Sequence, residues 1–375
     1  MYVSDDGLAR ERCAKVCGAY FLDELTSYAY PWRDSLYIHK SALRKGVPVS
    51  TRHIIESQQF TLESIEALFE DARRIEGLLK TSRGRDRLAT FASNKILTSF
   101  FYEESTRTRV SFEIAALLLG MKISSTTNAS QFSSVAKGES FEHTIRILCG
   151  YRPDIIVLRH SIEGAARLAA QYSDNFQYGI PIINAGDGVG QHPTQALLDL
   201  FTIEREWGRL DNLLVVIGGD LLYGRTTHSL VYLLSQYPGN RFCFVSPAEL
   251  AMKPDILDYL DRRGVSWSAH ATLDDIPRSA QVIYWTRVQN ERIADTSIRQ
   301  SVERQKPNFV LKKSFLDEFP PSLRLLHPMP IVGEIESEID TDSRAAYFRQ
   351  AGNGLPVRMA LLLHVLAFQK RWDLR

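Results

Sequence analysis

The run Ser105-Thr106-Arg107-Thr108-Arg109 sets three hydroxyls and two guanidiniums on consecutive residues, between the apolar pair Phe100-Phe101 and an apolar helical pattern. A helix N-terminus presents unpaired backbone N–H groups and a partial positive charge, so such a segment can hold an anion. The hydroxyls add donors, and the planar fork of Arg107 matches phosphate oxygens. The plainer alternative is a serine N-cap followed by solvated arginines.

Four further segments carry polar groups that could do chemistry, three of them with glycine or proline. His192-Pro193-Thr194-Gln195 follows the loop Asn184 to Gly188. There His192 could polarise a carbonyl while Gln195 accepts from an amide NH2, although a single loop histidine is more often an ordinary surface residue. Ile217-Gly218-Gly219-Asp220 leads into Tyr223-Gly224-Arg225-Thr226. Its glycines lack the G-x-G-x-x-G spacing, which argues against a dinucleotide turn. Trp285-Thr286-Arg287-Val288-Gln289 follows another apolar run, and His327-Pro328-Met329-Pro330 is a stiff loop whose prolines can leave carbonyls facing a cleft. Arg107, Arg159, Arg225 and Arg287 each stand just past a different apolar run, and each must be paired or solvated. Together they imply a substrate with several negative charges.

The elements that must carry these residues are legible as periodicity. Ile65, Leu68, Phe69, Ala72, Ile75, Leu78 and Leu79 share one helical face, and a second helix, Val110 to Leu119, stops at Gly120. Short runs at Ile96 to Phe101, Ile155 to Leu158, Ile180 to Ile183, Leu213 to Ile217, Phe242 to Val245 and Val282 to Trp285 alternate with helical stretches. This pattern predicts an α/β chain with buried parallel strands, whose ligands sit at the strands' carboxyl ends. Every polar segment above falls at such a position.

The length of 375 residues suits two domains, and a 44% hydrophobic composition can bury a sizeable core. A net charge of +1 gives no general attraction to nucleic acid, so any anion site is a local gathering of arginines. Cys13, Cys17, Cys149 and Cys243 form neither a metal set nor a disulfide framework. No apolar run reaches membrane-spanning length, the N-terminus has no hydrophobic signal core, the early acids Asp5, Asp6 and Glu11 argue against an organellar transit peptide, and a cytoplasmic location is the expectation. Residues 1–52 show no sustained period and read as an extension.

Phe101-Tyr102-Glu103-Glu104-Ser105-Thr106-Arg107-Thr108-Arg109 resembles the carbamoyl phosphate signature of the aspartate and ornithine carbamoyltransferases. The similarity continues through Glu163 to Ala169, Asn184 to Ile203, Gly219 to Leu230, Thr286 to Arg292, His327 to Ile335 and Gln350 to Arg358. Arg225, Arg287-Val288-Gln289 and Pro328, the last where ornithine enzymes typically carry a cysteine, are similar to the aspartate branch. The resemblance implies two domains, each a parallel sheet flanked by helices, with a C-terminal helix of roughly Arg358 to Gln369 returning to the first. Residues 53–191 with about 348–375 would bind carbamoyl phosphate and residues 192–347 would bind aspartate.

The resemblance also implies roles. Ser105, Thr106, Arg107 and Thr108 would hold the phosphate, and Lys137 would reach the phosphate of a neighbouring subunit. Thr108, Arg159 and His192 would polarise the carbonyl oxygen. Gln195 and main-chain carbonyls near Met329-Pro330 would hold the NH2 group, and Arg225, Arg287 and Gln289 would bind the aspartate carboxylates. The implied unit is a homotrimer with shared sites, using no metal or organic cofactor and binding neither nucleic acid nor membrane. Leu222, Ser297 and Ile298 replace residues that allosteric members carry, which implies an unregulated trimer without a regulatory chain. A different amino acceptor, or a silent scaffold paralogue, are the competing readings.

Overall fold

Short β-branched runs and amphipathic stretches alternate along this chain, and they fold into two wholly parallel sheets covered by helices. The computed structural model describes residues 52–129 and 138–367. The first 51 residues, with Cys13 and Cys17, and Lys137 lie outside the described residues.

The first half contains β1 (Ile96–Phe101), β2 (Lys122–Thr126), β3 (Ile155–His160) and β4 (Ile182–Asp187), in the spatial order β2-β1-β3-β4. The second contains β5 (Leu214–Gly218), β6 (Arg241–Val245), β7 (Ser266–His270), β8 (Val282–Trp285) and β9 (Arg324–Leu326), in the order β7-β6-β5-β8-β9. Among the described residues the expected runs all became strands. The three that periodicity did not mark are β2, β7 and β9. Two of these, β2 and β7, are edge strands in which polar side chains face solvent, and β9 is an edge strand of only three residues.

The first sheet is flanked by α1 (Leu62–Leu79), α2 (Ser82–Leu88), α3 (Thr106–Leu118), α4 (Phe141–Gly150) and α5 (Ala165–Asn175). The linking helix α6 (Pro193–Trp207) runs from β4 toward β5, and α7 (Arg225–Leu234), α8 (Pro254–Arg262), α9 (Thr296–Gln305) and α10 (Lys313–Leu316) follow. On α1 the expected apolar face is buried, through Ile65, Leu68, Phe69, Ala72 and Ile75. The last helix, α11 (Tyr347–Ala367), packs on α1, α3 and α6, so the chain does return to the first sheet. It begins well before Arg358 and carries Pro356 inside it. Burial of Val357, Met359, Leu361 and Leu362 outweighs the poor helix propensity of Gly352, Gly354 and Pro356.

One hydrophobic cluster runs through both halves, joining Leu97 and Val157 of the first sheet to Val215 and Tyr284 of the second by way of Leu197, Phe201 and Leu361. At the carboxyl end of β5 the loop crosses the end of β8 at close quarters. Gly219 has φ +97, and a Cβ there would lie 2.0 Å from the carbonyl oxygen of Thr286. Gly219→Ala is therefore expected to destabilise the protein by about 3 kcal/mol. A urea midpoint equal to wild type would show that this crossing can open without cost.

Candidate active site

Six strand ends converge on one cleft of about 690 Å³. β1, β3 and β4 contribute from the first sheet, and β5, β8 and β9 from the second. Ser105, Thr106, Arg107, Thr108, Arg159, His192, Gln195, Arg225, Arg287, Gln289, Met329 and Pro330 all line it. Of the residues given a substrate-binding or catalytic role from the sequence, Lys137 alone is not placed there, because it lies outside the described residues.

On the first-sheet side, Ser105 occupies the N-cap of α3 in an extended conformation, but its side chain caps no backbone N–H. The hydroxyl is thus available to a ligand, contrary to the plain capping alternative. Arg107 reaches into the cleft and forms no ion pair with a described residue; partial burial, then the charge of Arg287, lowers its pKa. Thr108 is buried with its Oγ1 3.4 Å from Nε2 of His192. Arg159, at the carboxyl end of β3, is buried and donates to the carbonyl of Ala185 at 3.2 Å. Burial above all, and then the charge of Arg225, draws its pKa down.

His192 ends the loop after β4, its backbone N–H held by Ser229 at 2.8 Å. Complete burial, with Arg225, Arg159 and Arg358 nearby, pushes its pKa well below the ordinary value, so at neutral pH the ring is uncharged. A neutral imidazole can donate one hydrogen bond to a carbonyl oxygen without transferring a proton. Gln195, one turn into α6, donates its amide NH2 to Asp199 at 2.8 Å.

The second-sheet side is built around ion pairs. Arg225 opens α7, donates to the carbonyl of Gly188 at 2.9 Å and lies 3.4 Å from Glu103. Arg292 donates to the other Glu103 oxygen at 2.9 Å and to Gln289 at 3.1 Å. Gln289 donates to the carbonyl of Tyr223 at 2.9 Å, so both ends of its amide are already engaged. Arg287 pairs with Glu291, which raises its pKa.

Glu103 also stands 3.5 Å from Arg159, so this first-sheet carboxylate clamps three arginines, two of them from the second half. Glu103→Gln keeps the shape but removes the charge that holds the halves together. It is expected to lower kcat/KM for the acceptor by roughly tenfold or more. Acceptor kinetics within twofold of wild type would show that the clamp is dispensable.

Periodicity left several of these groups without a role. Arg358 is buried on α11 beside the cleft, its guanidinium 5.2 Å from the Phe112 ring. Asp199 is a fully buried acid within the apolar run Ala196 to Phe201. Burial pushes its carboxyl up, to about 7, against hydrogen bonds from Gln350, Tyr284 and Gln195. An acid on the buried face of a helix was the available signal, but two of its three partners come from β8 and α11, far away in sequence.

Comparison with known proteins agrees with this arrangement. Residues 52–205 match the family model for the aspartate/ornithine carbamoyltransferase carbamoyl-P binding domain, and residues 211–365 match that for the Asp/Orn binding domain. The chain is 47% identical over 321 residues to a chloroplastic aspartate carbamoyltransferase of Oryza sativa subsp. japonica, covering 84% of this chain and 86% of that one. The solved catalytic subunit of Methanocaldococcus jannaschii aspartate transcarbamoylase superposes with a TM-score of 0.75 at 43% identity, over 86% of this chain and 100% of that one. The Trypanosoma cruzi aspartate transcarbamoylase in complex with carbamoyl phosphate and aspartate gives a TM-score of 0.76 at 32% identity, over 84% and 98% of the two chains.

The cytoplasmic expectation is overturned by the plant relatives, which are chloroplastic enzymes by name. The physical reason is that organellar transit peptides are amphipathic rather than apolar, so lack of a hydrophobic signal core excludes only a secretory signal, and the three acids Asp5, Asp6 and Glu11 do not outweigh the relatives. With both domain models matched and relatives of this identity along most of its length, the chain belongs to the aspartate/ornithine carbamoyltransferase family, among its aspartate carbamoyltransferases.

Proposed function

We propose that this cleft transfers the carbamoyl group of carbamoyl phosphate to the amine of L-aspartate through the residues named above. The observation that carries the reading is charge. Among the described residues six guanidiniums line the cleft, from Arg107, Arg159, Arg225, Arg287, Arg292 and Arg358, against the three carboxylates of Glu103, Glu104 and Glu291. A phosphate and a dicarboxylate would balance that excess.

In this reading Ser105, Thr106, Arg107 and Thr108 hold the phosphate, with Lys137 completing the grip from a neighbouring subunit. Residues 53–191 with 348–375 form the carbamoyl phosphate domain, and 192–347 the aspartate domain. Thr108, Arg159 and neutral His192 face the carbonyl oxygen, while Gln195 and the carbonyls at Met329 and Pro330 take the NH2. Arg225, Arg287 and Gln289 orient the aspartate carboxylates, Gln289 after exchanging an internal hydrogen bond. The uncharged amine attacks the carbonyl carbon, and the developing oxyanion is stabilised by preorganised donors. The C–O bond to phosphate then breaks, and the departing phosphate takes the amine proton. Holding both substrates in one cleft supplies the proximity.

A trimer fits an exposed apolar stripe on α3. Val110, Ile114 and Leu117 are 40%, 42% and 55% exposed directly after the phosphate segment. An apolar surface of this kind beside a cleft favours a subunit contact. The test is to supply carbamoyl phosphate with L-aspartate, L-ornithine or N-acetyl-L-ornithine in parallel. Carbamoyl aspartate alone is expected, with hyperbolic dependence on aspartate. Product from an ornithine acceptor would overturn the acceptor, and no product from any would favour a silent paralogue.

A further inference from the structure

The two groups read above as holding the carbamoyl NH2 come from distant parts of the chain, Gln195 on α6 and the loop 327–330 after β9. A single buried oxygen connects them. Oδ1 of Asp199 accepts from Nε2 of Gln195 at 2.8 Å and from Nε2 of Gln350 at 2.6 Å. The Gln350 carbonyl oxygen then accepts the backbone N–H of His327 at 2.8 Å, and Nδ1 of His327 accepts the backbone N–H of Met329 at 2.8 Å. On its other side, Asp199 Oδ2 accepts from the Tyr284 hydroxyl of β8 at 2.8 Å.

Polarity follows from chemistry. An ionised carboxylate can only accept hydrogen bonds, so each glutamine must turn its NH2 toward Asp199. Gln350 is thereby left with its oxygen for His327, and Gln195 with its oxygen for the cleft. An amide that could rotate would offer the cleft NH2 as readily as C=O, and an NH2 there would repel the carbamoyl NH2. The array is fully buried at its centre, where an unmet donor costs most.

We propose that Asp199 is a positioning residue that fixes the acceptor face of Gln195 and, through Gln350 and His327, the carbonyls of the 327–330 loop, so that the cleft selects a carbamoyl NH2. This rests on the reading of those groups as the NH2 holders, but not on the identity of the acceptor amino acid.

The test compares two phosphonates that differ only at this group, phosphonoacetamide with an NH2 and 2-oxopropylphosphonate with a methyl. Calorimetric titration of each into the full chain is made at pH 8, above the value of about 7 to which burial raises the Asp199 carboxyl. Wild type is expected to prefer the amide by roughly thirtyfold or more, as sites built to hydrogen-bond an N–H reject analogues lacking it. Asp199→Ala is expected to bring that preference to within about threefold of unity while inorganic phosphate binding changes less than about twofold. Gln350→Leu, which leaves Asp199 and Gln195 in contact, is expected to lose part of the preference, and it carries the test if Asp199→Ala does not fold.

A general structural role would weaken phosphate and both phosphonates alike, and that outcome overturns the proposal. So does a preference retained in folded variants, or one absent from wild type. A wild type that discriminates between the phosphonates yet makes no carbamoyl aspartate would sink the acceptor assignment and leave the role of Asp199 standing.

Discussion

Arg159→Ala is expected to lower kcat for carbamoyl aspartate formation by about 10³-fold, with thermal stability held within a few degrees. The guanidinium is buried at the end of β3, fixed by the Ala185 carbonyl and Glu103, so it is already aimed before substrate arrives. Preorganised donors at a developing oxyanion contribute two to three orders of magnitude when a single neutral donor is removed, and a buried cation belongs at the upper end. Glu103 keeps Arg225 and Arg292 in the variant, so the fold loses one ion pair of several. Arg159→Lys supplies charge without the planar fork and is expected to recover only a part. Steady-state rates with both substrates saturating decide the matter. A kcat within tenfold of wild type would remove Arg159 from the carbonyl and leave it a structural role.

Arg287→Ala is expected to act on the other substrate, raising KM for aspartate by on the order of 10², with a smaller change in KM for carbamoyl phosphate. Loss of one partner from a hydrogen-bonded charge pair costs about 3 kcal/mol. In the structure Arg287 is paired with Glu291 on the same short segment, so an arriving carboxylate must compete with that side chain. Glu291→Gln would then be expected to lower KM for aspartate, a result opposite in sign to Arg287→Ala. Equal and parallel losses in both variants would argue that the pair is a structural brace.

These expectations were within reach of the sequence because parallel strands announce themselves. Ile155 to Leu158 and Val282 to Trp285 are continuous apolar runs, as strands buried on both faces must be, and function sits where each run ends. Edge strands such as Lys122–Thr126 are half solvated and blend into loops, so they carried no comparable signal. The same limit applied within the site. Arg107, Arg225 and Arg287 stand in the segments that lead away from apolar runs, whereas Asp199, Tyr284 and Gln350 acquire meaning only when α6, β8 and α11 meet. Gln289 was legible as a cleft residue, but its present partners, Tyr223 and Arg292, were not.

The return of α11 to α1 and α3 has a consequence for the order in which the protein is made. The first sheet leaves the ribosome well before the helix that covers its companions, which lies at residues 347–367. Until those residues emerge, Phe69 and Ala72 of α1 and Phe112 and Ala116 of α3 have no complete cover. The first sheet and its helices therefore wait for residues 347–367, and any message truncated before residue 347 yields a product with an open apolar face, a natural target for chaperones and proteases.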